Sequence, residues 1–352
     1  MTAPPGAASP WRRFEKASFA AGTALLVWLL IRVGPAELER ELLTVSWGFL
    51  LVLALQGLPI LLNTLSWRLL LPPVHRVSLH ELVPMLLAGE ALNAVSPVGV
   101  IGGELVRVSL LRRRVPTTVA VGAVSLAAIA QFAGQVLFIL CGLPFALLLV
   151  QRPAWRLAIA LLGTAIVVFL AAVLVLSWSP ERRETLRRSA NRFAWFERLW
   201  ARVPLSAREG VGKGLEVLRE RPAAFGRSVA AAFVAWQVGV AETLLVLFLL
   251  GRPVSLASAI AIEVLAVTVE AVLFFVPARM GTQEGGRVLI FVALGLDPAA
   301  GLALGLVRRA RELVWAIPGL AILGAFQRSS RGAASGYLAP PDVTPGGQPL
   351  PD

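Results

Sequence analysis

The chain has 352 residues, 57% of them hydrophobic and 15% charged, with a mean hydropathy of +0.75. A soluble globular domain carries about 25% charged residues, so this composition excludes one and points to a polytopic membrane protein. The net charge of +12 sits in short basic segments between apolar runs, as positive-inside topology requires, so no nucleic-acid partner is expected.

The side-chain inventory bounds the chemistry further. One cysteine (Cys141) excludes a disulfide framework within the chain. Two histidines (His75, His80) and three aspartates (Asp297, Asp342, Asp352) leave a metal site or a Ser-His-Asp triad almost nothing to draw on. No metal, cofactor or catalytic residue is expected, and ionic work falls to Glu and Arg.

In chain order, a Pro/Ala/Ser tail over residues 1–10 precedes a basic amphipathic collar, Trp11–Lys16, and an apolar run, Ala17–Val33. No small-x-small cleavage site follows, so this run reads as an uncleaved first helix with its N-terminus cytoplasmic. Val45–Trp67 is long enough to cross roughly 30 Å of hydrocarbon, and Arg68 and Arg76 mark a cytoplasmic return. Leu79–Arg114 is different: an apolar stretch ends at Ser96-Pro97, Val98–Gly103 breaks it, and an amphipathic piece from Glu104 ends in Arg112-Arg113-Arg114. This pattern predicts two half-helices of a re-entrant hairpin.

Thr117–Val150 predicts one long or broken helix and Trp155–Ser177 a return. The stretch 178–224 carries ten Arg and Lys213 against six Glu, a cytoplasmic basic loop. Within it Phe193, Phe196 and Trp200 suit either a helix in the headgroup region or a small helix packed on the core. Phe225–Leu250 crosses again, Val254–Val276 re-enters, and Pro277–Gly286 breaks the helix. Arg287–Leu296 turns back, Asp297-Pro298 restarts a helix, and Ala299–Phe326 crosses to a basic end at Arg328 and Arg331. Residues 329–352, rich in Gly, Pro and Ser, read as a disordered tail.

The expected organisation is therefore an all-α membrane domain over 11–328, with one repeat over about 45–177 and a second over about 225–326. Pro97, Glu104 and Arg107 recur as Pro277, Glu284 and Arg287 at one offset of 180 residues, and Glu90-Ala91 recurs as Glu270-Ala271. Positive-inside counting places the two hairpins in opposite membrane faces, giving inverted repeats, with both termini cytoplasmic.

Glu104 and Arg107, like Glu284 and Arg287, stand three apart and share a helix face. Two readings stand side by side. Each Glu caps its own helix and neutralises its neighbour, or the glycine-flanked half-helix starts and their arginines form an anion site. Arg308, Arg309, Arg311 and Glu312 lie about 15 Å into the last helix, near mid-membrane, and must pair or face a polar cavity. Their expected partners are Glu104, Glu284, Glu90 and Glu270, and the excess of arginine favours an anionic headgroup. Gln283 and Gln131 are weaker polar-lining candidates. Gln131 and Gln135 also serve as interhelical glue, and Pro59, Asn63, Glu242 and Glu263 stay ambiguous.

The stretches NAVSPVGVIGGELVR (93–107), VPARMGTQEGGR (276–287) and GLVRRARELVWAIPG (305–319) resemble the flippase-like transmembrane family found as the membrane half of lysylphosphatidylglycerol synthases. AIAQFAGQVLF (128–138) looks closer to its hopanoid-biosynthesis-associated branch. The likeness covers most of 15–326 and implies a lipid translocase of a bacterial cytoplasmic membrane, with membrane lipid and lipid-biosynthesis proteins as partners. The first copy departs from the family pattern at 125–131, where SLAAIAQ replaces an acidic/basic pair. With only a short tail after the membrane part, the chain is not expected to make lysyl-lipid. No GxxxxGK[ST] run appears, so no ATP coupling is expected. A membrane-embedded lipid transferase using a Glu base, and a non-catalytic scaffold of a lipid-synthesis complex, are the alternatives.

Overall fold

The computed structural model describes residues 43–75, 77–95, 100–151, 153–178, 205–273 and 281–336. Expectations for the N-terminal tail, the first helix, the helix around Phe193–Trp200, both hairpin tips and the last 16 residues lie outside them. The described elements are α1 (Gly48–Leu70), α2 (Leu79–Val95), α3 (Val100–Leu111), α4 (Thr117–Leu149), α5 (Pro153–Trp178), α6 (Leu205–Glu220), α7 (Pro222–Leu249), α8 (Leu256–Val272), α9 (Thr282–Ala293) and α10 (Pro298–Gly336). The protein is an all-α membrane protein. Three helices, α1, α4 and α7, are long and apolar enough to cross a bilayer. By contrast α3 and α9, with 12 residues each, rise about 18 Å and cannot cross one alone.

The exterior is apolar. Leu51, Leu58 and Leu65 recur every seven residues on α1 and are exposed, as are Leu137, Leu140 and Leu148 on α4 and Leu313, Ile317 and Leu320 on α10. Side chains of this kind in that position are stable only against lipid. The interior is held by small residues, because between apolar helices in lipid the gain comes from close packing rather than from expelling water. A Cβ on Gly134 of α4 would meet Ala232 and Phe233 of α7 at 2.9 Å, and one on Gly89 of α2 would meet the Gly103 carbonyl of α3 at 2.9 Å. Buried hydroxyls add cross-links: Ser66 of α1 and Ser228 of α7 share a 2.7 Å hydrogen bond.

The contacts of the two copies are reciprocal. α1 packs on α7, α10 of the second copy packs on α2 of the first, and α4 of the first packs on α8 of the second. At one end of the bundle Arg221, preceding α7, donates to the Leu71 carbonyl after α1, 3.0 Å away. The Arg113 guanidinium after α3 lies 3.7 Å over the Phe326 ring of α10. At the other end Gly48 of α1 abuts Leu249 of α7, and Arg252 pairs with Asp297 at 2.5 Å. α1 and α7 therefore run antiparallel.

Three boundaries differ from the sequence reading. Both breaks are narrower: Val100–Gly103 is helical, putting Glu104 fifth in α3, and α9 starts at Thr282 behind Gly281, whose φ of 71° is the left-handed region that glycine enters freely. Gly102, Gly103, Gly285 and Gly286 are packing positions inside helices and do not form the turns. The 178–224 segment is a loop only in part, since α6 packs on α4 through mutual approach of Gly122, Gly210 and Gly214. The last helix runs to Gly336, past the predicted start of the tail at Ser329.

Gly319 of α10 tests the packing account. A Cβ there would fall on the Leu87 carbonyl of α2, whereas one on Gly324 meets nothing within 4 Å. Gly319→Ala is expected to lower stability by about 1–3 kcal/mol, read as a lower melting temperature in detergent. Gly324→Ala should hold or raise it by up to about 1 kcal/mol.

Candidate functional site

A polar cavity of about 230 Å³ lies between α1, α4, α7, α8, α9 and α10, and its walls include Asn63, Gln131, Glu242, Glu270, Arg287 and Arg311. Its charged floor is built on α10, where Arg308, Arg309, Arg311 and Glu312 fall within a turn and a half and so fan out over three neighbouring helices. The Arg308 guanidinium donates to Glu263 of α8 at 2.8 Å, to the Thr243 hydroxyl at 2.9 Å and to the Gly239 carbonyl at 2.8 Å, and stands 3.4 Å from Glu242. Arg309 donates to Glu284 at 3.0 Å and to Glu312 at 3.3 Å, and Arg311 to Glu242 at 2.5 Å. A planar guanidinium with five donors can serve several helices at once, which an ammonium could not.

The second hairpin supplies the rest. Arg287, 2% exposed, donates to the Gln283 carbonyl one turn back at 3.3 Å and reaches Glu270 of α8 at 3.8 Å. Its Nε has no hydrogen-bond partner among the described residues, and neither do the Nε atoms of Arg308 and Arg311 or the buried Glu242 Oε1, Gln283 Oε1 and Glu284 Oε2. The Gln283 amide nitrogen donates both to Glu270 at 3.3 Å and to Glu312 at 3.1 Å. Glu284 sits in the first turn of α9, where the helix dipole favours a carboxylate.

Several sequence expectations change here. Glu284 and Arg287, three apart, do not pair: Glu284 turns to Arg309 of α10 and Arg287 to Glu270 of α8, because α9 packs against both helices. In the first copy Arg107 does bond Glu104 at 2.8 Å, and it also bonds Glu90 across the hairpin. The pairings Glu90–Arg107 and Glu270–Arg287 thus follow the 180-residue offset. Arg107, Glu104 and Glu90 do not line the cavity, however, so the first copy contributes an internally neutralised strut and not a second anion site. Of the α10 arginines, Arg309 finds the expected Glu284, while Arg308 and Arg311 go to Glu263 and Glu242.

Those two glutamates, left open between site and structural roles by sequence position, join the cluster and remove the arginine excess. Around the cavity Glu242, Glu263, Glu270, Glu284 and Glu312 stand against Arg287, Arg308, Arg309 and Arg311, five carboxylates to four guanidiniums. The available signal was that Glu242 and Glu263 are lone acids in apolar runs, where an ionised side chain demands a partner. Removing the Glu263 carboxylate leaves Arg308 buried and short of a counterion. Glu263→Ala is expected to cost about 3–5 kcal/mol, measured as lost resistance to denaturing detergent, and Glu263→Gln less, because it keeps an acceptor.

A search of the curated proteins and of the solved structures finds no match to this chain. One family model does match, that of the lysylphosphatidylglycerol synthase TM region, over residues 17–319. That span includes every residue lining the cavity, so the chain belongs to the family of lysylphosphatidylglycerol synthase transmembrane regions.

Proposed function

We propose that the protein moves an amphiphilic lipid between the leaflets of a bacterial cytoplasmic membrane without ATP, its headgroup passing through the cavity while its tails stay in the bilayer. The observation that carries this reading is a charged cavity with unsatisfied polar atoms inside a bundle whose outer face is apolar. The cavity of about 230 Å³ is lined by Glu242, Glu270, Arg287 and Arg311, which offer a polar headgroup partners and acyl chains none. Membership of a family named for lipid synthases supports a lipid as the cargo.

Arg287 is the anchor. It lines the cavity, and its contact with Glu270 is 3.8 Å long, so it can give a phosphodiester a charge-assisted hydrogen bond without first breaking a short one. Among the lipid classes in view, an anionic phospholipid and a hopanoid, this favours the phospholipid. Arg308, Arg309 and Arg311 each have a carboxylate within 3.0 Å and would hold the walls instead of binding cargo. The antiparallel run of α1 and α7 supports copies inverted with respect to each other, an arrangement that lets one rock against the other to expose the cavity to either leaflet. Partners in lipid synthesis would hand the lipid over at the basic end, where the termini are cytoplasmic.

Leaflet exchange of a fluorescent phosphatidylglycerol in proteoliposomes tests this. Arg287→Ala is expected to cut the protein-dependent rate at least tenfold, the loss of one charge-assisted bond of about 1.5–3 kcal/mol, with the elution profile unchanged. Arg252→Ala, at the end of the bundle where Arg252 pairs with Asp297 and away from the cavity lining, should leave the rate as it is. Equal rates for wild type and Arg287→Ala would reject the assignment. Release of a modified lipid from purified protein would point to a transferase.

A further inference from the structure

A second recess, of about 520 Å³, opens at the basic end of the bundle, where α1 ends and α7 begins. Arg68, in the last turn of α1, and Arg221, immediately before α7, both line it, with His75 beside them. Among the described residues no carboxylate lines it. The acids nearest in sequence are committed elsewhere. Glu81 accepts from the Ser78 hydroxyl at 2.7 Å and pairs with Arg114 at 3.2 Å, and Glu220 lines a separate recess between α4 and α6. Among the described residues the exposed Arg68 side chain pairs with no acid, and Arg221 gives one nitrogen to the Leu71 carbonyl.

α1 and α7 are two of the three helices long and apolar enough to span a bilayer, so the end they share marks the headgroup level. At about 100° per residue, Leu65, Arg68 and Leu69 turn nearly opposite to Gln56, Pro59 and Asn63, which line the central cavity. The recess therefore opens on the outer side of α1 and is separate from the cavity. From Leu65 the exposed Leu61 and Leu58 continue along that side for about 10 Å. One leaflet's hydrocarbon is roughly 15 Å deep, so this lane lies within it. A cationic recess at headgroup level thus adjoins an apolar track.

We propose that this recess binds one anionic phospholipid of the adjoining leaflet, held as a resident ligand and not as cargo. Its phosphodiester sits between the Arg68 and Arg221 guanidiniums, with a ring N–H of His75 as a further donor, and its tails follow Leu65, Leu61 and Leu58. Two guanidiniums facing one recess repel each other, and an anion between them replaces that repulsion with two attractions. Arginine suits the task because its planar fork meets phosphate oxygens with two parallel bonds. Basic pockets between transmembrane helices hold anionic headgroups in this way. Since Arg68 belongs to α1 and Arg221 stands at the head of α7, the bound lipid ties the two helices where they meet. The inference uses none of the cavity residues and does not depend on the transport reading.

The test uses the full chain carrying Arg287→Ala, which removes the proposed cargo anchor, in phosphatidylcholine nanodiscs with radiolabelled dihexanoyl-phosphatidylglycerol as probe. About one probe should bind per chain, and excess dihexanoyl-phosphatidylcholine should not displace it. Adding Arg68→Gln, a change at an exposed side chain, should weaken binding at least tenfold, about the worth of one charge-assisted bond. Arg221→Gln should do the same. Glycerophosphoglycerol and inorganic phosphate, which lack tails, should compete at least tenfold more weakly than the lipid. Unchanged affinity in both arginine variants, or displacement by the phosphatidylcholine, would overturn the site. Competition by inorganic phosphate as strong as by the lipid would overturn the lipid assignment in favour of a free anion. Failure of the folded Arg287→Ala chain to bind the probe would overturn the recess and leave the central cavity reading standing.

Discussion

Four guanidiniums cannot sit inside a hydrocarbon layer unless each is neutralised and hydrogen-bonded, and the arrangement of this bundle follows from meeting that condition. An arginine at mid-membrane costs about 2.5–3.5 kcal/mol even on the gentler scales, and several together are prohibitive if unpaired. The protein answers by drawing one carboxylate from α7, two from α8, one from α9 and one from α10 itself around the arginines of α9 and α10. Each pair ties helices that apolar packing alone would let slide. The same ties hold a polar space open at the centre.

Small residues make the convergence geometrically feasible. Helices that approach at Gly134, Gly89, Gly103 and Gly319 bring their backbones near enough for side chains as short as Glu to span the gap to a guanidinium. Gly239 shows the coupling directly: its carbonyl accepts from Arg308, and a Cβ on it would stand 3.1 Å from the Glu263 carboxylate. Packing and electrostatics therefore act at the same places. The cavity takes its charges from α7 to α10, while α1 and α4 contribute the uncharged Gln56, Asn63 and Gln131.

Much of the frame could be read from the residues. Apolar run lengths located α1, α4 and α7 to within a few positions, and the Pro and Gly clusters separated α2 from α3 and α8 from α9. Helix ends near glycine were less legible, because a glycine pair permits a turn and equally permits close packing within a helix. In α3 and α9 the neighbours on the other half-helix decided for packing. The site divided in the same way. Arg287, Arg308, Arg309, Arg311, Glu284, Glu312, Glu270, Gln283 and Gln131 stood out as polar groups in apolar surroundings, but spacing suggested Glu284–Arg287 as a pair, and proximity along a helix is only one of the ways two charges can meet.

The sequence by itself determined that this is a helical membrane protein with a repeated Glu, Pro, Glu, Arg pattern, because hydropathy, glycine and proline placement, and the energetic weight of intramembrane charge are properties of local segments. Only the tertiary structure decided which carboxylate serves which arginine, that Glu242 and Glu263 belong to the cluster, and that Glu270 and Glu312 meet on one amide. Those partners lie 13–69 residues apart on separate helices. Which of them come within hydrogen-bond reach depends on how closely the helices pack, and no single segment encodes that distance.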